Sequence, residues 1–120
     1  MTATRLVLAS GSAARRQMLL NAGLLFDVVP AEIDEDRLRD EFSGKGSHFE
    51  IAAELAAAKA LAVAASHPGA VVIGSDQILS TGEAILSKPG SRSGARDTLR
   101  LLRGRTHWLH SAAAVAVDDR

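Results

Sequence analysis

The sequence predicts an α/β protein in which a mixed β-sheet is flanked by helices. Short apolar runs typical of strands alternate along the chain with longer segments whose apolar residues recur at helical spacing. The run Ala70–Gly74 is apolar throughout, as is typical of a strand buried on both faces. With 47% hydrophobic residues among 120, the chain can bury a core, and we expect one domain over residues 1–120.

The N-terminal segment predicts a strand, a helix and a second strand. Arg5–Ala9 has the composition of a short buried strand. Ser12 is a natural N-cap for the helix that follows, and Asn21–Gly23 would end that helix. Leu24–Val29 predicts the second strand, which Pro30 closes.

The middle of the chain predicts its clearest helix. Residues 31–48 are polar and predict a loop or a short irregular helix. Phe49–Ser66 is alanine-rich and strongly helical, and Pro68-Gly69 breaks it before the strand Ala70–Gly74.

The C-terminal segment predicts a hairpin, a helix and a final strand. Ile78–Leu79 and Ala84–Leu86 flank the turn-forming residues 80–83. Ser93–Arg103 predicts a helix, and Thr106–Val117 a long last strand. Three residues of that helix are expected to face inward: Ala95, Leu99 and Leu102. Because the chain stops soon after an apolar run, we expect a C-terminal part of the fold to be absent.

Composition excludes several classes of function. The formal net charge is zero, which does not favour a nucleic-acid polymer or a membrane surface as partner. The chain has no cysteine, so a disulfide framework and a thiolate metal site are excluded. It shows neither a signal-peptide pattern nor an apolar stretch near membrane-span length. We therefore expect a soluble cytoplasmic protein.

Two arginines stand at the start of the first predicted helix, where the helix dipole disfavours a positive charge by roughly 0.3–1 kcal/mol. Arg15 and Arg16 follow a turn of small residues that includes Ser10 and Ser12. An anion bound there would remove the penalty, because helix N-terminal N–H groups and serine hydroxyls also bind phosphate. From these residues alone, a phosphate cradle and a solvated helix surface both remain open.

Two further residues could carry chemistry. Asp76 follows a strongly apolar run, where a carboxylate can hold a divalent cation or orient a water, or can simply cap a turn. Lys59 lies in one helical row with Ile51, Leu55 and Val63, on the apolar side of its helix. It could snorkel at the edge of the core or reach a ligand.

The other charged residues give little evidence of function by themselves. Lys88 lies in a loop stiffened by Pro89, and a loop lysine is usually solvated. Glu35 belongs to an acidic run over residues 32–36 that is typical of a solvated face. The four histidines have no zinc-ligand spacing.

Taken together, six short motifs in the same order resemble the Maf family of nucleoside-triphosphate pyrophosphatases. They are Leu8-Ala9-Ser10-Gly11-Ser12 with Arg15, Ile33-Asp34-Glu35, Ala56-Ala57-Ala58-Lys59-Ala60, Gly74-Ser75-Asp76, Ile85-Leu86-Ser87-Lys88-Pro89 and Leu102-Arg103-Gly104-Arg105-Thr106-His107. The resemblance implies an α/β fold, often dimeric, that hydrolyses a nucleoside triphosphate to the monophosphate and pyrophosphate with Mg²⁺ or Mn²⁺. A non-catalytic nucleotide-binding regulator of cell division is the alternative.

The resemblance also implies a role for each site residue. Those that would bind the triphosphate are Ser10, Ser12, Arg15, Lys59 and Lys88. Glu35 and Asp76 would hold the divalent metal, and Asp76 would be the general base.

Two positions depart from the common family pattern and are associated with the choice of base. Ala14 stands where many members have the first of two arginines, and Gln77 stands where many have threonine. The Asp76-Gln77 pair is similar to the subgroup that acts on 7-methyl-GTP. Family chains are also substantially longer, which supports the expectation that the C-terminal part is absent.

Overall fold

The computed structural model describes residues 4–44, 46–81, 84–86 and 89–120. Strands and helices alternate through most of this part of the chain. In order, they are β1 (Leu6–Leu8), α1 (Ala13–Asn21), β2 (Asp27–Val28), α2 (Glu35–Phe42), α3 (His48–Ala64), β3 (Val71–Ser80), β4 (Ile85–Leu86), α4 (Arg92–Leu102) and β5 (Trp108–Val117).

The five strands form one mixed sheet, which confirms the predicted α/β class. β1 pairs in parallel with β2 on one side and with β3 on the other. β3 is antiparallel to β4 and to β5, and it pairs with β5 along its whole length, from Val71 opposite Val117 to Ser80 opposite Trp108. The predicted hairpin between β3 and β4 is therefore confirmed, although Gly82 and Glu83 of its turn lie outside the described residues.

Among the described residues, one edge of β3 has a gap in its pairing. β1 pairs with Val71–Ile73, and the described part of β4 pairs with Leu79 and Ser80. Between these two partners, β3 continues past the carboxyl end of β1. The strand order also reverses here. α1 connects β1 to β2 on one side of it, whereas α2 and α3 connect β2 to β3 on the other side of β1. The general right-handedness of such crossovers predicts α1 on the sheet face opposite α3.

Helix α3 packs closely on the sheet because its contact surface is made of small residues. α3 lies against β3 and β5. A Cβ at Gly74 would overlap the carbonyl oxygen of Ala56 and would lie 2.9 Å from Ala60 Cβ. Glycine on the strand and alanines on the helix therefore let the two backbones approach closely.

The core lies between α3 and the sheet, in two clusters of buried side chains. One joins α3 to β1, β3 and β5 and includes Val7, Val63 and Val72. The other is centred on Leu55 and Ile78. α2 covers it with partly buried Leu38 and Phe42.

The structure differs from several predicted boundaries. The polar stretch 31–48 contains a regular helix, α2, because Asp34 caps it by accepting a hydrogen bond from the backbone N–H of Arg37. β3 extends beyond the predicted Gly74 to Ser80, with burial alternating along it, so the strand is not fully buried on both faces. β2 is confined to two residues.

Helix α4 is present at the predicted place, but its predicted inward face is wrong. Leu99 is 68% exposed, while Ala95 and Leu102 are only half-buried. The physical reason is that α4 has no extensive contact with any other helix or strand of the described ranges. The apolar residues of α4 have the spacing of a helix that packs on a neighbouring element, but the described residues provide little surface for α4 to pack on.

The sheet face opposite α3 is partly uncovered at β5. Leu109 and Val115 are 60% and 65% exposed there, whereas Ala116 on the α3 side is buried. In the described ranges, no helix combines the length and the apolar character that a bilayer span would require.

We expect the Gly74→Ala substitution to destabilise the protein by about 1–3 kcal/mol, because the added methyl group overpacks the contact with α3. Urea unfolding measures the difference. Gly90→Ala is the matched control, since a Cβ there meets no atom of the described residues within 4 Å. Equal stability of the two variants would contradict the close-packing interpretation.

Candidate active site

The candidate site lies beside the gap in β3, where the ends of several elements meet. The carboxyl end of β1 leads into Ser10, and the first turn of α1 provides Arg15. Lys59 reaches the same place from α3, and Glu35 is the first residue of α2. β3 contributes its backbone at Ser75 and the side chain of Asp76. This is the carboxyl-end position at a topological switch point, where α/β sheets bind ligands.

The two serines organise the start of α1. Ser12 is its N-cap, as predicted, and its hydroxyl accepts a hydrogen bond from the backbone N–H of Arg15 at 3.2 Å. Ser10 is 7% exposed, and its hydroxyl oxygen accepts from the Ser12 N–H at 3.1 Å. No acidic residue lies in the first turn, so the positive end of the helix is not neutralised from within α1.

Arg15 folds back over this turn instead of pointing to water. A terminal nitrogen of its guanidinium lies 3.4 Å from the Ser10 hydroxyl and 3.3 Å from the backbone carbonyl oxygen of Ser75. Arg16, the next residue, is exposed. The two arginines that the sequence pairs are thus separated by the structure, and only Arg15 belongs to the site.

Lys59 reaches the same carbonyl oxygen from α3. Its ammonium group donates to the Ser75 carbonyl at 3.4 Å, so the two cations approach one backbone atom. Ser75 is placed for this because it lies in the stretch of β3 beyond the end of β1. The site is therefore assembled around a main-chain acceptor.

Lys59 also lies between two carboxylates. Its ammonium group is 3.0 Å from Asp76 Oδ1 and contacts Glu35 Oε1. The Lys59 side chain is only 11% exposed, which argues against a lysine that snorkels to solvent. The structure thus buries Lys59 between Glu35 and Asp76, and its contact with a ligand stays a prediction.

One carboxylate oxygen of Asp76 has no partner among the described residues. The residue is 7% exposed, and its buried Oδ2 receives no hydrogen bond from that part of the chain, whereas Oδ1 binds Lys59. Asp76 lies inside β3, so the alternative that it merely caps a turn is wrong. A buried, unpartnered carboxylate oxygen costs free energy unless something binds it, which indicates a place for a ligand, a cation or a proton.

The donor set fits a hard divalent cation that is completed by other ligands. Across the described ranges, no group of three or more histidine, aspartate or glutamate side chains is arranged to hold a metal alone. Glu35 and Asp76 are nevertheless drawn together by Lys59. Mg²⁺ commonly uses one or two protein carboxylates together with water and substrate phosphates.

The two residues that the resemblance associates with base choice make no contact with Lys59 among the described hydrogen bonds and ion pairs. Ala14 is exposed in the first turn of α1. Gln77 is exposed on β3, and its side-chain oxygen accepts a hydrogen bond from Ser111 of β5 at 2.9 Å. Lys88, the remaining predicted phosphate ligand, lies outside the described residues.

Sequence reasoning missed the carbonyl oxygen of Ser75 and the hydroxyl of Ser111. A backbone carbonyl has no residue-type signal. Ser111 becomes visible only through the register that sets it opposite Gln77.

Lys59→Met should destabilise the protein by about 3–5 kcal/mol, because it leaves Asp76 as a buried carboxylate without its cation. The double variant Lys59→Met/Asp76→Asn should regain part of that loss, as measured by urea unfolding. Strictly additive effects of the two substitutions would show that the ion pair does not couple them.

Comparisons with known proteins identify a family and named relatives of this chain. The family model described as "Maf-like protein" matches residues 5–120. A curated 7-methyl-GTP pyrophosphatase of Mesorhizobium japonicum is 45% identical over 97% of this chain and 59% of the relative. A nucleoside triphosphate pyrophosphatase of Rhodopseudomonas palustris is 51% identical over 96% of this chain and 56% of the relative.

Another nucleoside triphosphate pyrophosphatase, from Nitrobacter hamburgensis, is 47% identical over 96% of this chain and 56% of its own length. The chain thus spans somewhat more than half of the length of these relatives. Since the family model matches almost the whole chain, the chain belongs to the Maf family.

Proposed function

We propose that this protein hydrolyses a nucleoside triphosphate to the monophosphate and pyrophosphate with the help of a divalent cation. The observation that carries the proposal is the convergence of Arg15 and Lys59 on one carbonyl oxygen beside Asp76, whose second carboxylate oxygen has no partner within the described ranges. The printed names of the relatives, which describe pyrophosphatases for nucleoside triphosphates, support the same reaction class.

The phosphate-binding part of the proposal rests on the start of α1. The helix N-terminus, the hydroxyls of Ser10 and Ser12 and the guanidinium of Arg15 form a local group of possible phosphate donors. An arginine fork suits phosphate oxygens, which accept two parallel hydrogen bonds. Arg15 would exchange its long contacts with neutral acceptors for shorter, charge-assisted bonds to the triphosphate. Lys88 is expected to add a second cation from its loop.

The hydrolytic step is assigned to Asp76. In the ligand-free arrangement Oδ1 binds Lys59, and Oδ2, which has no partner among the described residues, would be the oxygen that takes a proton from water. The water oxygen would form a bond to the α-phosphorus while the bond from that phosphorus to the bridging oxygen breaks. The electron pair of the broken bond leaves with pyrophosphate, whose charge Lys59 and Arg15 are placed to stabilise.

A bound Mg²⁺ or Mn²⁺ would neutralise phosphate charge and polarise the reacting group. Glu35 and Asp76 are the side chains proposed to hold it. In their present arrangement, Lys59 supplies the positive charge between them. We infer that the arriving cation and polyanion would share these partners, with Lys59 turning from the carboxylates towards the phosphates.

We propose a modified nucleotide such as 7-methyl-GTP as the substrate. The Asp76-Gln77 pair and the printed name of the Mesorhizobium relative favour this choice. A homodimer and a cytoplasmic location stay predictions from the sequence. A regulator that binds nucleotides without turnover is the alternative that activity measurements separate from the enzyme.

Asp76→Asn should lower kcat for pyrophosphate release by about 10²–10⁴-fold, because the amide cannot accept the proton from water. The assay uses a panel of triphosphates that includes 7-methyl-GTP, with Mg²⁺ or Mn²⁺ and with a chelator. Asp97→Asn, at an exposed carboxylate on α4, is the matched control and should retain the rate. Nucleotide binding by the unsubstituted protein without any product would favour the regulator instead.

Arg15→Gln should lower kcat/KM by about 10- to 100-fold, the equivalent of one lost charge-assisted hydrogen bond to phosphate. Arg16→Gln removes the same charge from the adjacent, exposed position and should have a much smaller effect. Steady-state kinetics of both variants tests the assignment. Equal losses would mean that net charge, and not the position of Arg15, accounts for the effect.

A further inference from the structure

Gln77 is held by a neighbour on the adjacent strand, although it lies on the surface. Gln77 and Ser111 are opposite each other in the antiparallel register of β3 and β5. The Ser111 hydroxyl donates to Gln77 Oε1 at 2.9 Å, and both residues are exposed. An exposed glutamine ordinarily samples several rotamers, so a hydrogen bond across the strands restricts a side chain that would otherwise be free to turn.

The direction of this hydrogen bond decides which end of the amide is presented to a ligand. The carbonyl end of Gln77 is occupied by Ser111, which leaves the Nε2 amide group with its two N–H donors. On the same face of β5, the residues flanking Ser111 at alternate positions are Leu109 and Ala113, whose side chains cannot form hydrogen bonds. Ser111 is therefore the side chain of β5 that can orient the amide.

Gln77 is also within reach of a nucleotide bound at the proposed site. It is two residues from Ser75 along β3, a separation of about 7 Å. The carbonyl of Ser75 is the point at which Arg15 and Lys59 meet. Gln77 projects to the face opposite α3, since Asp76 beside it faces Lys59. The right-handedness of the crossovers predicts α1 on that same face. A base joined to phosphates at the start of α1 can thus approach the Gln77 amide.

We propose that Ser111 is a positioning residue for base selection: it orients Gln77 so that the amide donates a hydrogen bond to an oxo group of the nucleobase. This inference rests on the proposed function. A base with a carbonyl oxygen at the contacted position accepts a hydrogen bond from Nε2. A base with an amino group at that position places its own N–H donors against those of Nε2, so that no hydrogen bond forms. Discrimination of this kind follows from the unpaired polar group that the wrong base would leave.

The test compares inosine triphosphate with adenosine triphosphate, because their bases carry an oxo group and an amino group, respectively, at the same carbon. We expect the unsubstituted protein to prefer the oxo base and Ser111→Ala to reduce the ratio of the two kcat/KM values by about tenfold, the equivalent of one hydrogen bond. Ser111→Thr keeps the hydroxyl and should restore the ratio. The kcat for the oxo substrate should change little, because Ser111 does not touch the reacting atoms.

A merely structural Ser111 would lower thermal stability without moving the ratio, and that outcome would overturn the proposal. In the Gln77→Ala background, Ser111→Ala should have no further effect on the ratio, and a persisting effect would also overturn it. Failure of this proposal can be distinguished from failure of the proposed function. If no pyrophosphate is released, the preference for the oxo base over the amino base can still be measured as the ratio of the two dissociation constants. Absence of binding by both nucleotides would overturn both proposals.

Discussion

The carbonyl oxygen of Ser75 accepts hydrogen bonds from Arg15 and Lys59, and the geometry of the site depends on this shared contact. Neither cation could reach it if β1 continued alongside β3, because a neighbouring strand would take the carbonyl into the sheet ladder. The early end of β1 therefore has two effects. It exposes a backbone acceptor in the middle of a sheet, and it brings the start of α1 close to the same point.

The position of Lys59 in turn depends on the close approach of α3. The small residues Ala56, Ala60 and Gly74 hold the helix near the strand. At that spacing, a lysine on the buried side of the helix reaches a carboxylate of the sheet at 3.0 Å without leaving the interior. Packing and chemistry are thus coupled, since the contact that stabilises the α3–β3 layer also sets the distance between Lys59 and Asp76.

Much of this arrangement could be predicted from the sequence, but the reasons differ from residue to residue. Ser12 was predictable as an N-cap because the capping preference is local. The helical row of Ile51, Leu55 and Lys59 correctly predicted that the lysine lies on the apolar side of α3. The row alone could not predict what Lys59 points to, and that expectation came from the ordered motifs of the family. The exposure of Leu99 could not be predicted, because helical spacing reports which face is apolar and not whether another element covers it. Strand register, which pairs Gln77 with Ser111, is likewise a tertiary property.

The long strand β5 has a consequence for how these residues behave at high concentration. Within the described chain, it pairs with β3 alone, and its sequence WLHSAAAVAV contains neither proline nor a lysine, arginine or acidic residue. Natural sheets guard such edges with charge, bulges or a covering segment, since an open ladder recruits further strands. The exposed Leu109 and Val115 add an apolar surface to that open ladder. Where no other segment covers β5, this strand therefore favours aggregation through edge-to-edge pairing of β-strands.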